Sequence, residues 1–343
     1  QTYVSNPREE ILYLKGESYN LKGNYHQAMV IFSAFLETYY DSPLKHYVRL
    51  AAGWAELNMG NNNAALNHYD EIIMNISDDE NSRVKALAQL YRTVALVRKG
   101  NREQARKELS SLSVQPTYPY LGLALLELGQ IQYREEEYDE AQRTLERGDR
   151  ESIDASVSVR INLLLGAVYI EQERWDKAVE EYSDAEQLAE RSSYIVMPQK
   201  DWYLAEARLK RGIALVRSHR SADAIPVLRS FLSQKEDAPR TDEALFWLAE
   251  AYFRTDLLKN AHDTYNKLLD KYPETKRREE ALYGLGWSYF RRKELSKSAN
   301  TFDNLIHEFP DSEFALEVLA RQADGYFLMK NYSKAADTYR RAK

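Results

Sequence analysis

Six histidines, His26, His46, His68, His219, His262 and His307, are the residues whose type could serve metal or acid–base chemistry. None stands in an H-E-x-x-H or other local metal pair, so no metal site is expected. His26, His219 and His262 fall in or near turns between helical stretches, where a solvated histidine is the ordinary reading. The chain has no cysteine, which excludes disulfides and thiolate metal sites. G-x-S-x-G, P-loop and Rossmann patterns are absent. Carboxylates are numerous, but solvated helical faces need them, and their pairing carries little catalytic information. No enzymatic activity and no cofactor are therefore expected.

The elements that would position any site follow a repeat. Asp242–Arg278 is one copy of a pattern, and Glu279 opens the next, 37 residues on. Leu245 maps to Leu282, Leu248 to Leu285, Tyr252 to Tyr289, Tyr265 to Phe302, Leu268 to Leu305 and Pro273 to Pro310. Leu245, Leu248, Ala249 and Tyr252 share one helical face, and Ala261, Tyr265, Leu268, Leu269 and Tyr272 form a second stripe. Arg254–Asn260 carries the turn between them. Pro273 and Pro310 should end the second helix of each copy, because proline cannot extend a helix. Thr241 and Ser312 are expected N-caps. Each copy is a helix–turn–helix hairpin that needs neighbours to cover its apolar faces.

These residues resemble the tetratricopeptide repeat family. Its pattern has a large apolar residue at position 4, leucine at 7, small at 8, aromatic at 11, small at 20, aromatic at 24 and proline at 32. Both copies follow it; Ser298, still small, is the departure at position 20. The 37-residue period and the ending aromatic-Pro-x-Ser/Thr look most like bacterial cell-envelope members. These include Tol-Pal-associated and outer-membrane-assembly repeat proteins. The fold this implies is an all-α, right-handed α-solenoid (superhelix) of about nine hairpins.

Composition agrees with an ordered helical chain: 44% hydrophobic residues, 29% charged, and 25 tyrosines. The net charge of −6 comes from interspersed acids and bases, with no basic block to suggest a nucleic-acid partner. No apolar run is long enough to insert directly into a membrane. No signal peptide is visible. The chain opens at Gln1 and closes inside a second helix, so it reads as a trimmed or mature segment.

Carried along the chain, the register starts hairpins near Glu9, His46, Ala86, Gly122, Val159, Ala205, Asp242, Glu279 and Leu316. The step into Ala205 is long, and the extra residues lie around Arg191–Asp201. One reading places a break near Pro198, with an irregularity at Ser192–Gln199. It divides an N-terminal array (1–190) from a C-terminal one (205–343) through a connection or hinge (191–204). The other is a continuous superhelix with one long hairpin.

By the resemblance, positions 2, 5, 9, 12 and 13 of each first helix face a concave groove. In the seventh hairpin these are Glu243, Phe246, Glu250, Phe253 and Arg254. In the eighth they are Glu280, Tyr283, Trp287, Phe290 and Arg291, and the ninth adds Asp324 and Phe327. Aromatic anchors with arginine at the rim are the composition of binding hot spots. The alternative reading packs these rings between repeats. Tyr13, Trp54 and Tyr133 form a second candidate surface near the N-terminus. Leu50, Leu90, Leu126 and Leu163, all at position 5, are expected as seam packing. Asparagine never occupies position 9, so a clamp for heat-shock chaperone tails is not expected.

The function this reading predicts is a non-catalytic scaffold binding a protein segment, helical or extended, along the C-terminal groove, with Phe246, Phe253, Tyr283, Trp287 and Phe290 as anchors and Arg254 and Arg291 at the rim. The expected compartment is the bacterial periplasm or cell envelope, with the cytoplasm as the alternative. Two further readings stand beside it. One is a regulatory or targeting arm of a larger enzyme. The other is self-association through uncapped ends.

Overall fold

The computed structural model describes residues 6–77, 82–193, 199–234 and 239–342. Among them are eighteen helices and no strand. Each expected hairpin start falls in the first two turns of a helix, so the nine-hairpin register is the observed one.

Two compact units, residues 1–164 and 165–343, divide the chain. The first contains α1 (Pro7–Leu21), α2 (Tyr25–Thr38), α3 (Lys45–Asn58), α4 (Asn62–Asn75), α5 (Ser82–Lys99) and α6 (Arg102–Ser113). It continues with α7 (Leu121–Arg134) and α8 (Tyr138–Glu151), and the division falls within α9 (Ala155–Glu171). The second holds α10 (Trp175–Arg191), α11 (Gln199–Arg217), α12 (Ser221–Gln234), α13 (Thr241–Arg254) and α14 (Leu258–Lys271). Its last helices are α15 (Arg278–Arg291), α16 (Leu295–Glu308), α17 (Ala315–Leu328) and α18 (Tyr332–Arg341). In the first unit α2 packs on α3, α4 on α5 and α6 on α7. In the second, α10 packs on α11, α12 on α13, α14 on α15 and α16 on α17. In each of these pairs a hairpin buries its second helix against the next first helix, and the fold is an all-α solenoid.

Close approach inside the hairpins explains the small residue at position 8. A Cβ on Gly286 would lie 2.2 Å from the Phe302 ring, and one on Gly53 would lie 2.5 Å from the Tyr69 ring. Each ring comes from position 24 of its hairpin, is fully buried, and lies against bare backbone. Ser298 fits position 20 because its hydroxyl donates to the Gly286 carbonyl oxygen at 2.9 Å.

The turns share one geometry. Gly23, Gly60, Gly100, Glu136, Glu173, His219, Asp256, Lys293 and Lys330 all have positive φ. All stand at position 15. The next residue's N–H reaches back five residues, as from Asn24 to Tyr19 and from Glu294 to Tyr289. This is the Schellman closure, which satisfies a carbonyl left open at the helix end.

The hydroxyl near the end of the repeat ties the hairpin to its own start. Thr275 Oγ1 donates to Asp242 at 2.7 Å, and Ser42 Oγ donates to Glu9 at 2.6 Å. Pro273 and Pro310 follow the ends of α14 and α16, as the pattern requires. The expected caps differ. Arg240 takes the cap position of α13 with φ 67°, and Thr241 is the first, buried helical residue. Ser312 lies before α17, and its Oγ accepts from the Phe314 N–H at 3.1 Å, shaping the turn instead. Pro198 lies outside the described residues. Pro226 lies inside α12 at an exposed position.

Candidate protein-binding groove

In the first unit, α1, α3 and α5 are neighbours and present one face together. A cleft of about 490 Å³ runs across them. Tyr13, Glu17, Asn20 and Leu21 line it from α1, and Tyr47, Leu50 and Trp54 from α3. Arg83, Leu87 and Tyr91 line it from α5, with Tyr120 just ahead of α7. The α1 residues stand at positions 5, 9, 12 and 13, and Tyr47, Leu50 and Trp54 at 2, 5 and 9, which the repeat register assigns to a groove; Ala51, at position 6 of α3, lines the cleft from outside that set.

The walls are ordered by ring contacts. Trp54 and Tyr91 lie 5.1 Å apart between centroids, and Tyr91 lies 6.1 Å from the buried Tyr69. A second cleft of about 360 Å³ continues from Trp54 and Tyr91 past Val94 and Val97 to Gln130 and Arg134. Burial raises the proton affinity of the Tyr13 phenol, with the Glu17 charge adding to it. Tyr91 is raised in the same way by burial first, with Tyr120, Glu127 and Glu17 contributing and Arg160 opposing. The cleft therefore offers neutral hydroxyls and π faces beside a carboxylate.

Tyr13 and Trp54 are thus brought together as the second candidate surface predicted, while Tyr133 lies against Tyr138 instead. Leu90 and Leu126 are fully buried seam residues, but Leu50 opens on the cleft. Tyr47, Tyr91 and Tyr120 are groove residues that sequence reasoning missed. Tyr47 stands at position 2, and the register alone would have found it. Tyr91 and Tyr120 stand off the groove positions and carry no such signal.

In the second unit Phe246 is 5% exposed, in T-shaped contact with Trp247 and beneath the Arg277 guanidinium. Glu250 accepts from the Tyr265 hydroxyl at 2.5 Å and pairs with Arg254 at 3.5 Å. Arg291 covers the Phe253 ring, pairs with Asp256, and donates to the Phe253 carbonyl oxygen at 3.3 Å. Arg98, at the same position 13 of its hairpin, donates to the Leu57 carbonyl oxygen at 2.7 Å. These two position-13 arginines thus clamp the end of the preceding first helix.

Tyr283 stacks on Phe314 and donates to Glu317 at 2.9 Å. Trp287 packs between Tyr283 and Phe290, under Arg321. Glu243 and Glu280 accept from Arg240 and Arg277, and Asp324 from Tyr339. Phe327 is 55% exposed and meets Tyr332. Tyr283, Trp287 and Phe290 are half-buried, so this strip combines packing with partial access.

His26 and His219 are exposed, whereas His262 is half-buried, 2.8 Å from the Tyr289 hydroxyl. Among the described residues no group of three His, Asp or Glu side chains could hold a metal ion. None of the described helices is long and apolar enough to cross a membrane.

The chain is similar to known repeat proteins over most of its length. A tetratricopeptide repeat-like domain profile matches residues 28–201. Tetratricopeptide repeat profiles match residues 209–275, 10–42 and 280–312. No curated protein has a significant sequence match to it. Among solved structures, the apo form of RapI aligns at a TM-score of 0.61 and 14% identity, covering 97% of this chain and 96% of that one. A tetratricopeptide repeat protein from Parabacteroides merdae ATCC 43184 aligns at a TM-score of 0.50 and 17% identity, covering 75% of this chain and 91% of that one. At these identities the likeness concerns the fold alone. With the register, the turn geometry and the matched profiles in agreement, the chain belongs to the tetratricopeptide repeat family.

Proposed function

We propose that this chain is a non-catalytic scaffold holding a segment of a partner protein in the groove of its first unit. Tetratricopeptide repeat proteins generally mediate protein–protein interactions. The observation that carries the reading is the cleft of about 490 Å³, walled by aromatic residues at groove positions. Tyrosine and tryptophan held by ring contacts offer large contact area at small entropic cost. Tyr283, Trp287, Phe290 and Phe327 supply a second contact surface in the other unit.

Peptides selected on the immobilised chain test this. Tyr47→Ala with Trp54→Ala should weaken their binding by about tenfold or more, as for two hot-spot residues, with helicity unchanged. Trp287→Ala with Phe290→Ala probes the second surface in the same assay. Binding that survives both pairs of substitutions rejects the groove reading.

We infer an envelope compartment from the resemblance of the aromatic-Pro-x-Ser/Thr ending to envelope repeat proteins. Fractionation that finds the protein in the cytoplasm would reject it. Self-association is a further mode, favoured by exposed Ile11, Leu14 and Leu21 on α1 and by Leu316, Leu328 and Tyr339 on α17 and α18. Light scattering that shows a monomer at every concentration would remove it.

A further inference from the structure

The cleft of the first unit contains a buried acceptor without a donor. Asn20 is only 7% exposed and lines the cleft. Its Nδ2 donates to the Ala51 carbonyl oxygen at 3.1 Å and to Glu17 Oε1 at 3.2 Å. Two acceptors on one side fix the amide, because the flipped orientation would set oxygen against oxygen. Oδ1 is left buried with no hydrogen bond. No protein donor reaches this buried amide oxygen, so a ligand donor is favoured there.

The surroundings narrow the donor. Glu17 stands one turn before Asn20, and its charge bears on the phenols of both Tyr13 and Tyr91, across the cleft. The rings of Tyr13, Tyr47, Trp54 and Tyr91 present π faces to the same space. Among the described residues, Arg83 is the one basic residue lining this cleft. It stands in the first turn of α5, whereas Glu17 and Asn20 stand in the last turns of α1. First helices of stacked hairpins run the same way, so these groups mark opposite ends of the cleft.

We infer that the Glu17–Asn20 end takes the side chain of a lysine or arginine from a partner peptide. The cationic head donates to Asn20 Oδ1 and Glu17, and its stem lies along the aromatic walls. This rests on the groove reading above. An acidic residue would face Glu17 and a second unsatisfied oxygen, and an aliphatic one would leave Oδ1 without a donor. The volume exceeds that of one basic side chain, which suits a peptide with flanking residues better than a small free amine.

The test is selection from a randomised heptapeptide library with both ends blocked, on the full immobilised chain. Lysine or arginine should be enriched at one position by about tenfold or more over glutamate. Glu17→Gln should remove most of that enrichment, and circular dichroism should show unchanged helicity, because Glu17 is only half-buried. Tyr47→Ala with Trp54→Ala should abolish selection. Peptides that depend on Tyr47 and Trp54 yet carry acidic or neutral residues at that position overturn the inference while leaving the groove reading intact. A basic preference untouched by Glu17→Gln also overturns it. If no selected peptide depends on Tyr47 and Trp54, both readings fail together.

Discussion

At the scale of single residues, the hairpin is held by a side chain resting on bare backbone. Phe302 occupies the space where a Cβ on residue 286 would be, and Phe302 is fully buried. Gly286→Ala should therefore cost about 1–3 kcal/mol of stability through overpacking, although alanine is the better helix former. A lower urea midpoint is the expected result. An equal or higher midpoint would show that the ring can shift freely.

Tyrosines give the second residue-scale expectation. Burial and a hydrogen bond to Glu317 push the Tyr283 phenol up to about 12. Burial raises Tyr265 far above its usual value, with Glu250 adding to it, and burial does the same for Tyr69 and Tyr118. Each folded-state value lies above the unfolded one, so folding favours the protonated phenol. That stabilisation is complete below about pH 10, the unfolded value, and for Tyr283 is lost as pH rises towards about 12. Helicity should fall with the last of the tyrosinate absorbance to appear in alkaline titration. Complete tyrosinate formation by about pH 10 with helicity intact would contradict the burial described. The large residue at position 24 and the small one at 8 were legible in the sequence. The unsatisfied Asn20 oxygen was not, because it depends on where the Ala51 carbonyl and Glu17 come to lie.

At the scale of elements, each turn is set by one left-handed residue. Gly60 has φ 84°, and nothing lies within 4 Å of where its Cβ would be. A side chain there meets no neighbour but strains the backbone, so Gly60→Val should cost about 1–2 kcal/mol. Thermal unfolding checks this, and an unchanged midpoint would mean the turn can adopt another closure. Helix number and hairpin register were readable because the apolar period and the prolines repeat. Caps were less so. Thr241 has the right chemistry for a cap, but Arg240, ion-paired to Glu206 and Glu243, takes the cap position instead. Such long-range pairing leaves no local trace in the chain.

At the scale of the molecule, each unit stacks hairpins, and the proposed binding surface lies where first helices stand side by side. Groove positions of α1 and α3 line the cleft, Leu50 among them although the sequence reading expects it as seam packing. The register could not tell where rings stay accessible, since that depends on neighbours: Phe246 is covered by its own unit, whereas Tyr47 and Trp54 remain partly exposed. Tyr91 enters the cleft through its contact with Trp54, a relation between hairpins that periodicity does not encode.

The most direct measurement is hydrogen–deuterium exchange of the full chain with and without a selected peptide. Bound peptide should slow exchange in α1, α3 and α5, residues 7–21, 45–58 and 82–99. Protection confined to α13 and α15, or to the second helices of the hairpins, would contradict a groove in the first unit.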